Sequence, residues 1–307
     1  MMKILIGYDG SAAADEALAD LALAGFPAKA QALVLSVAVP WSDFSAGGDG
    51  AFFEWTPIAA TNLRAIDKHA MENAEVLAKR ARNYLESRHP EWKIKAEAVT
   101  DFPAQGILSK AEAWKPDVIV LGSHGRTALG KLLLGSVSNN VLHHAHTSVR
   151  INRSRIRSSQ RALRLVVGID GSSDSNQAIV QIASRQWPEG TQVRLVAVFD
   201  NAVVFEKVLS AKRAKGIAQF QTSKAVWIQK KLAAAESRLT RKGLQIITEI
   251  HEGDPRHILL KRAADLRADC IFLGCRGLNA LKRFMLGSVS SSVASHASCT
   301  VEVVRKT

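Results

Sequence analysis

The stretch "GSHGRTALGKLLLGSVS", Gly122 to Ser138, returns 152 residues later as "GCRGLNALKRFMLGSVS", Gly274 to Ser290. That return decides the architecture before any strand or helix is assigned, because the flanks return with it. "KILIGYDGSAAADEAL" is answered by "RLVVGIDGSSDSNQAI", pairing Asp9 with Asp170, and "ALVLSVAVP" by "QVRLVAVFD", pairing Val37 with Val198. "KPDVIVLGSHG" is answered by "RADCIFLGCRG". Solenoid repeats are about 20–50 residues long, so a period near 150 is a whole domain copied once. The expected organisation is a first domain over 1–152, an Arg-rich linker over 153–163 and a second domain over 164–307.

Within each copy, short apolar runs alternate with longer helical stretches. Ile4–Ile6 and Val166–Ile169 have the composition of strands, and each ends at Asp-Gly-Ser, with Ser11 or Ser172 placed to cap the next helix. Helical spacing then puts Leu18, Leu21 and Ala22 on one face, and Ile179, Ile182 and Ala183 on the matching one. Longer stripes follow, through Met71, Ala74, Leu77, Ala78, Ala81 and Leu85, and through Ala225, Ile228, Leu232, Ala235 and Leu239. "TDFPAQGILSKAEAW" and "EGDPRHILLKRAADL" are helices opened by proline. The runs Val118–Leu121 and Ile271–Leu273 are wholly apolar, as strands buried on both faces must be. Such alternation predicts an α/β fold with a parallel sheet covered by helices.

In such sheets ligands bind beyond the carboxyl ends of the strands, where the winding reverses. The repeated phrase begins at one of these ends. Gly122, Gly125, Gly274 and Gly277 leave room for backbone to turn or approach a ligand. Gly135-Ser136-Val137-Ser138 and Gly287-Ser288-Val289-Ser290 open helices whose free N–H groups suit a phosphate, with the serine hydroxyls as added donors. "GRTALGKL" within the first phrase comes near the Walker A pattern, but Leu132 replaces the magnesium-binding hydroxyl residue, and that reading is rejected. Asp9 and Asp170, at neighbouring strand ends, could bridge a polyphosphate through Mg²⁺, which favours one or two carboxylates plus phosphate oxygens. The plainer alternative is a turn aspartate holding its own loop.

With both phrases spelling Gly-x2-Gly-x9-Gly-Ser after an apolar strand, the chain resembles a tandem universal stress protein of the ATP-binding subgroup, over nearly all its length. The resemblance implies two domains, each a five-stranded parallel sheet of order 3-2-1-4-5 flanked by helices, paired about a pseudo-twofold axis. It implies ATP between the first and fourth strands, with Mg²⁺ carried by the nucleotide near Asp9 and Asp170. Adenine would meet the backbone of Val37 and Val198, while the glycines and serines of each phrase hold ribose and phosphates. It also implies pairing through the last strands, Val149–Ile151 with Val301–Val303, so that duplication replaces a homodimer. Arg150 interrupts that apolar run and weakens the case for pairing there.

Charge adds a second candidate. The formal net charge is +13, with 15 Lys+Arg against 16 Asp+Glu in 1–150, five arginines and no acid in 151–164, and 21 against 12 in 165–307. Arg153, Arg155, Arg157, Arg161 and Arg164 could attract nucleic acid, but no recognition motif accompanies them, and a solvated basic surface is preferred. Neither a signal peptide nor an apolar stretch long enough to span a bilayer is present, so a cytoplasmic protein is expected. Cys270, Cys275 and Cys299 lack metal or disulfide spacing; Cys270 and Cys299 fall in strands as inert core, leaving Cys275 as the thiol to meet solvent or ligand. His124 and Arg126 lie in the first phrase and Arg276 in the second, but they form no matching catalytic set. His143, His144 and His146 fit the C-terminal end of a helix better than a metal site. The expectation is therefore a nucleotide-binding regulator of the stress response rather than an enzyme, with an unknown protein partner. The alternatives are a slow Mg-dependent ATPase switch and a nucleic-acid-associated factor.

Overall fold

The computed structural model of the chain describes residues 1–40, 57–125, 134–153, 162–199, 214–277 and 286–306, with the side chains of 57–63 and 214–225 excepted. The first half runs β1 (Met2–Gly7), α1 (Ala12–Asp20), β2 (Ala30–Ala38), α2 (Pro57–Arg88), β3 (Lys93–Thr100), α3 (Pro103–Trp114), β4 (Val118–Gly122), α4 (Ser136–His144) and β5 (Ser148–Asn152). The second half repeats it as β6 (Arg164–Ile169), α5 (Ser173–Ser184), β7 (Gln192–Phe199), α6 (Ala214–Thr240), β8 (Gln245–Glu252), α7 (Pro255–Asp265), β9 (Cys270–Gly274), α8 (Ser288–His296) and β10 (Thr300–Val304).

Local chemistry sets the boundaries. The Ser11 and Ser172 hydroxyls accept from the amides of Ala14 and Ser175, satisfying one orphan donor in each first turn. Pro103 and Pro255 open α3 and α7, where a missing N–H costs nothing. The expected stripe on α2 is buried at Ala74, Ala78, Ala81 and Leu85, and that on α6 at Ile228, Leu232, Ala235 and Leu239.

Among the described residues, ten strands form one sheet in the order β3-β2-β1-β4-β5-β10-β9-β6-β7-β8. Each half is therefore parallel with order 3-2-1-4-5, and the halves join where β5 and β10 run antiparallel, Val301 opposite Ile151 and Val303 opposite Val149. On the α3, α4, α7 and α8 face, one core crosses this seam, from Leu5, Ile119 and Val149 through to Val301, Ile271 and Val166. On the other face two separate cores form, one around Ile4, Leu18 and Val120, the other around Val167, Ile179 and Phe272.

Between those two cores lies the feature that alternation alone misjudged. Arg150 does not weaken β5; it sits opposite Glu302 in the pairing register. Its side chain bonds Asp20 of α1 at 2.8 Å and Glu302 of β10 at 3.0 Å, and Arg185 also grips Glu302. Two arginines and two carboxylates fill the seam, so no buried charge stands without its counter-charge.

The ends of the last strands also cross over. Arg153 Nη1 donates to the carbonyls of Ala294 and Ser295 at the end of α8, and Arg305 Nη2 donates to that of Leu142 near the end of α4. Each half thus caps the other's last helix, where cations are favoured. Arg305→Met is expected to lower the stability of the full chain by about 2 kcal/mol, the value of a charge-assisted hydrogen bond, read as an earlier urea midpoint.

Candidate functional site

β1 stops short of both its neighbours. Its pairing with β2 ends at Gly7–Leu35, while β2 continues to Ala38 against β3 alone. Its pairing with β4 ends at Ile6–Val120, while β4 continues to Gly122 against β5. This leaves a crevice at the reversal of winding, with Val37 on one overrunning strand and the glycine phrase leaving the other. The second half repeats it: β6 ends its pairing at Ile169–Ala197, and Val198 lies beyond, paired only with His251 of β8.

The floor of each crevice is a strand-end aspartate. Asp9 Oδ1 accepts from the amide of Ser11 at 3.0 Å, and Asp170 Oδ1 from that of Ser172 at 2.9 Å. The turn role offered as the plainer reading of these aspartates is therefore present. Their second oxygens face the phrase: a Cβ added to Gly125 would lie 3.1 Å from Asp9 Oδ2, and one added to Gly277 would lie 2.9 Å from Asp170 Oδ2. The two loops are also laced together, Ser11 Oγ donating to the carbonyl of His124 and Ser172 Oγ to that of Arg276.

The remaining phrase residues divide between crevice and scaffold. Gly122 and Gly274 are hemmed in by protein: an added Cβ would lie 2.7 Å from the carbonyl carbon of Ala13, and 2.5 Å from the amide nitrogen of Ser175. Their smallness lets the strand end pack on α1 or α5. Gly135 and Gly287 begin α4 and α8 and donate their amides to the carbonyls of Ser123 and Cys275, which pins each helix N-terminus over its crevice. Ser136 and Ser288 are exposed at the first helical position, with Val137 and Val289 half-buried behind them. Ser138 and Ser290 are buried, and each hydroxyl donates at 2.7 Å to the carbonyl of the first glycine, Gly122 or Gly274. Their hydrogens are spent on the strand end, so a ligand-donor role rests on Ser136 and Ser288. Ser138→Ala is expected to cost about 1–2 kcal/mol by orphaning that carbonyl, against no more than about 0.5 kcal/mol for exposed Ser136→Ala, compared by urea midpoints.

The crevices differ in detail. His124 and Arg276 occupy the same place in the two phrases. His124 Nδ1 lies 2.9 Å from Ser123 Oγ. Arg276 turns back to grip Asp174 with two hydrogen bonds, of 2.8 and 3.2 Å, and Asp174 is 1% exposed beside Gly274. That carboxylate holds the Arg276 guanidinium above its usual pKa. The indole of Trp227 roofs the turn at Gly171, whose φ of +80° and lack of Cβ the packing requires. Neither Asp174 nor Trp227 could be found by comparing the halves, which carry Ala13 in place of Asp174. Cys275, expected to meet solvent, is 1% exposed, and burial raises its thiol pKa. Its amide donates to the carbonyl of Val304, and its side chain joins Ile271 and Leu273 in the core that crosses the seam, continuing their alternation one residue past β9. Burial likewise pushes Cys299 up to about 12 and raises Cys270. Arg126, Arg155, Arg157 and Arg161, and the Walker-like residues from 126 to 132, lie outside the described residues. Of the basic linker, Arg153 caps α8 and Arg164 Nη1 donates to the carbonyl of Leu266.

The model of one protein family matches the chain twice, over residues 1–153 and 162–305. The chain belongs to the universal stress protein family. A universal stress protein of Mycolicibacterium smegmatis is 25% identical over 310 residues, covering 98% of this chain and 96% of that protein. A putative universal stress protein of Staphylococcus haemolyticus is 30% identical over 148 residues, 46% of this chain and 83% of its own length. The solved structure of a universal stress protein from Archaeoglobus fulgidus shares the fold with a TM-score of 0.60 at 19% identity, covering 99% of this chain and 96% of that one. As in the sequence expectation, this universal stress protein is a tandem α/β molecule. Among the described residues, no helix is long and apolar enough to cross a membrane, and no group of three His, Cys, Asp or Glu is placed to hold a metal ion.

Proposed function

We propose that this chain is a regulatory protein of the stress response that binds an adenine nucleotide, ATP with Mg²⁺, in one or both crevices. The observation that carries the reading is made twice: beside a helix N-terminus the phrase passes so close to a strand-end carboxylate that an added Cβ would lie 3.1 Å from Asp9 Oδ2 at Gly125 and 2.9 Å from Asp170 Oδ2 at Gly277. A helix N-terminus favours phosphate, and a strand-end carboxylate on each crevice floor suits Mg²⁺ that arrives with its phosphates rather than a resident metal. Asp9 and Asp170 would face that ion, Ser136 and Ser288 with the α4 and α8 amides would meet phosphates, and Val37 and Val198 would border the base. Bound Mg-ATP supplies charge and shape that the family's partners can read; the chain's own part is to hold it. Among the described residues, no general base with an orienting partner is common to both crevices, and binding rather than turnover is the activity proposed. Three buried, unpaired thiols suit a reducing, cytoplasmic setting.

Thermal unfolding with and without Mg-ATP tests this. At one hundred times its dissociation constant, ligand stabilises a site by about 2.7 kcal/mol, a midpoint rise of about 5–10 °C for a domain this size. Absence of any rise with Mg-ATP, ADP and AMP would sink the proposal. Phosphate release by wild type above that of a Gly125→Val/Gly277→Val variant would instead favour the ATPase switch.

A further inference from the structure

The seam between the halves lies on a pseudo-twofold axis, and such an axis makes a sharp demand. Residues at equivalent places in the two halves face one another across it, so a pair of identical halves would set each of those residues against its own copy. Here the equivalents have diverged into complements. Arg150 and Glu302 hold the same place in β5 and β10 and are directly opposed. Both are fully buried, at 1% and 0% exposure. Ala24 and Arg185 are likewise equivalent, and the guanidinium of Arg185 reaches across the axis to the carbonyl of Ala24 at 3.0 Å and over the ring of Phe26. Gly25 and Gln186 are equivalent too, and the amide of Gln186 donates to the carbonyl of Gly25 at 2.8 Å. The indole of Trp187 fills the space at Gly25 so closely that an added Cβ would lie 2.9 Å from it.

From this we infer that the seam is heterospecific: each half accepts the other as its partner and rejects a copy of itself. Two second halves would place Glu302 against Glu302, Arg185 against Arg185 instead of Ala24, and Trp187 against a Gln186 side chain where only glycine fits. Two first halves would place Arg150 against Arg150, put Ala24 where Arg185 reaches across, and set the smaller Phe26 ring beside Gly25 where the Trp187 indole now packs. Each half carries one counter-ion of its own, Asp20 for Arg150 and Arg185 for Glu302. Net charge is therefore balanced in every pairing, and selection rests on the crossing contact Arg150–Glu302 and on the fit of Arg185 and Trp187 into the gap left by Ala24 and Gly25. Like charges directly opposed across strands are destabilising, most of all in a dry interface. Specificity of this kind needs a repulsive element against the wrong partner as well as an attractive one for the right partner. The surface thus fits one kind of partner: the complementary half, from the same chain or, in an exchanged dimer, from a second copy.

The test uses the whole chain with a protease site placed between Arg153 and Ala162. Labelled and unlabelled preparations are cleaved after folding, mixed, dissociated in denaturant, returned to buffer and weighed by native mass spectrometry. Every dimer should contain one first half and one second half. Random reassortment would give as many like pairs as unlike ones, and that result would overturn the inference. Should the cleaved halves not refold, hydrogen exchange on the intact chain decides. Glu302→Arg should speed exchange of the 149–152 and 301–304 amides at least tenfold, and the neutral Glu302→Gln far less. Wild-type protection in Glu302→Arg, or equal effects of the two substitutions, would overturn it as well.

Discussion

Arg150→Leu is expected to unfold on the order of 10 °C below the wild-type chain. The arginine satisfies Asp20 and Glu302 together, and removing one partner of a buried ion pair costs about 3–5 kcal/mol because the charge left behind is uncompensated. At about 2–4 °C per kcal/mol for a domain of this size, that cost spans the stated drop. In the variant, Asp20 keeps only the Thr300 hydroxyl, at 3.3 Å, while Glu302 keeps Arg185. The effect also has a pH signature. Burial pushes the Glu302 carboxyl upward, but the Arg185 and Arg150 guanidiniums outweigh it and hold its pKa below the usual carboxylate range. A group so depressed contributes its full stability above its unfolded pKa, and that contribution is lost as pH falls through the folded value. With Arg150 gone, less opposes the burial, the folded pKa rises, and acid unfolding should begin at a higher pH than in wild type. Circular dichroism from pH 7 down to pH 2 would read both effects. An Arg150→Leu chain matching wild type in midpoint and acid limb would show that the seam draws nothing from its charges.

How far this could be seen in the sequence depends on where the deciding partner lies. The duplication follows from lining up the two halves, and the parallel sheets and the glycine phrase from patterns contained within one half. Arg150 was misjudged because hydrophobic alternation weighs a strand alone, and the residue that makes a buried arginine tolerable stands 152 positions away at the equivalent site. The signal was present in the alignment of the halves, as opposite charges at one place, but it has meaning only once the axis is known to pass there. Cys275 was misjudged because the strand was taken to stop before it, whereas its side chain continues the alternation of Ile271 and Leu273 into the shared core. Gly122 was legible as a required glycine but not for its reason. Only the packing of α1 reveals that it serves the scaffold while Gly125 faces the crevice. Arg276 was in view as a phrase residue, but its pairing with Asp174 left no trace, because the first half carries Ala13 and His124 at those places.

That division of the glycines yields the second large effect, a separation of folding from binding within one motif. Gly122→Ala and Gly274→Ala place a methyl group against backbone atoms at 2.7 and 2.5 Å, which no rotamer can relieve. Overpacking of this kind costs about 1–3 kcal/mol or more, so both variants should unfold early whether or not nucleotide is present. Gly125→Val is different. Among the described residues its Cβ would meet within 4 Å only Asp9 Oδ2, at 3.1 Å; Gly125 is exposed, and its backbone does not demand glycine. Gly277→Val meets Asp170 Oδ2 more tightly, at 2.9 Å, and the end of that carboxylate must shift to admit it. These side chains should leave the unliganded midpoint within a few degrees of wild type while filling the space between phrase and carboxylate. The double variant is therefore expected to lose the whole Mg-ATP midpoint rise of about 5–10 °C. The single variants then assign the sites: loss in Gly125→Val alone puts the nucleotide in the first half, loss in Gly277→Val alone in the second, and partial loss in each fills both. A double variant that keeps the full rise would move the ligand out of these crevices, and a Gly122→Ala chain as stable as wild type would remove the scaffold role from the first glycine.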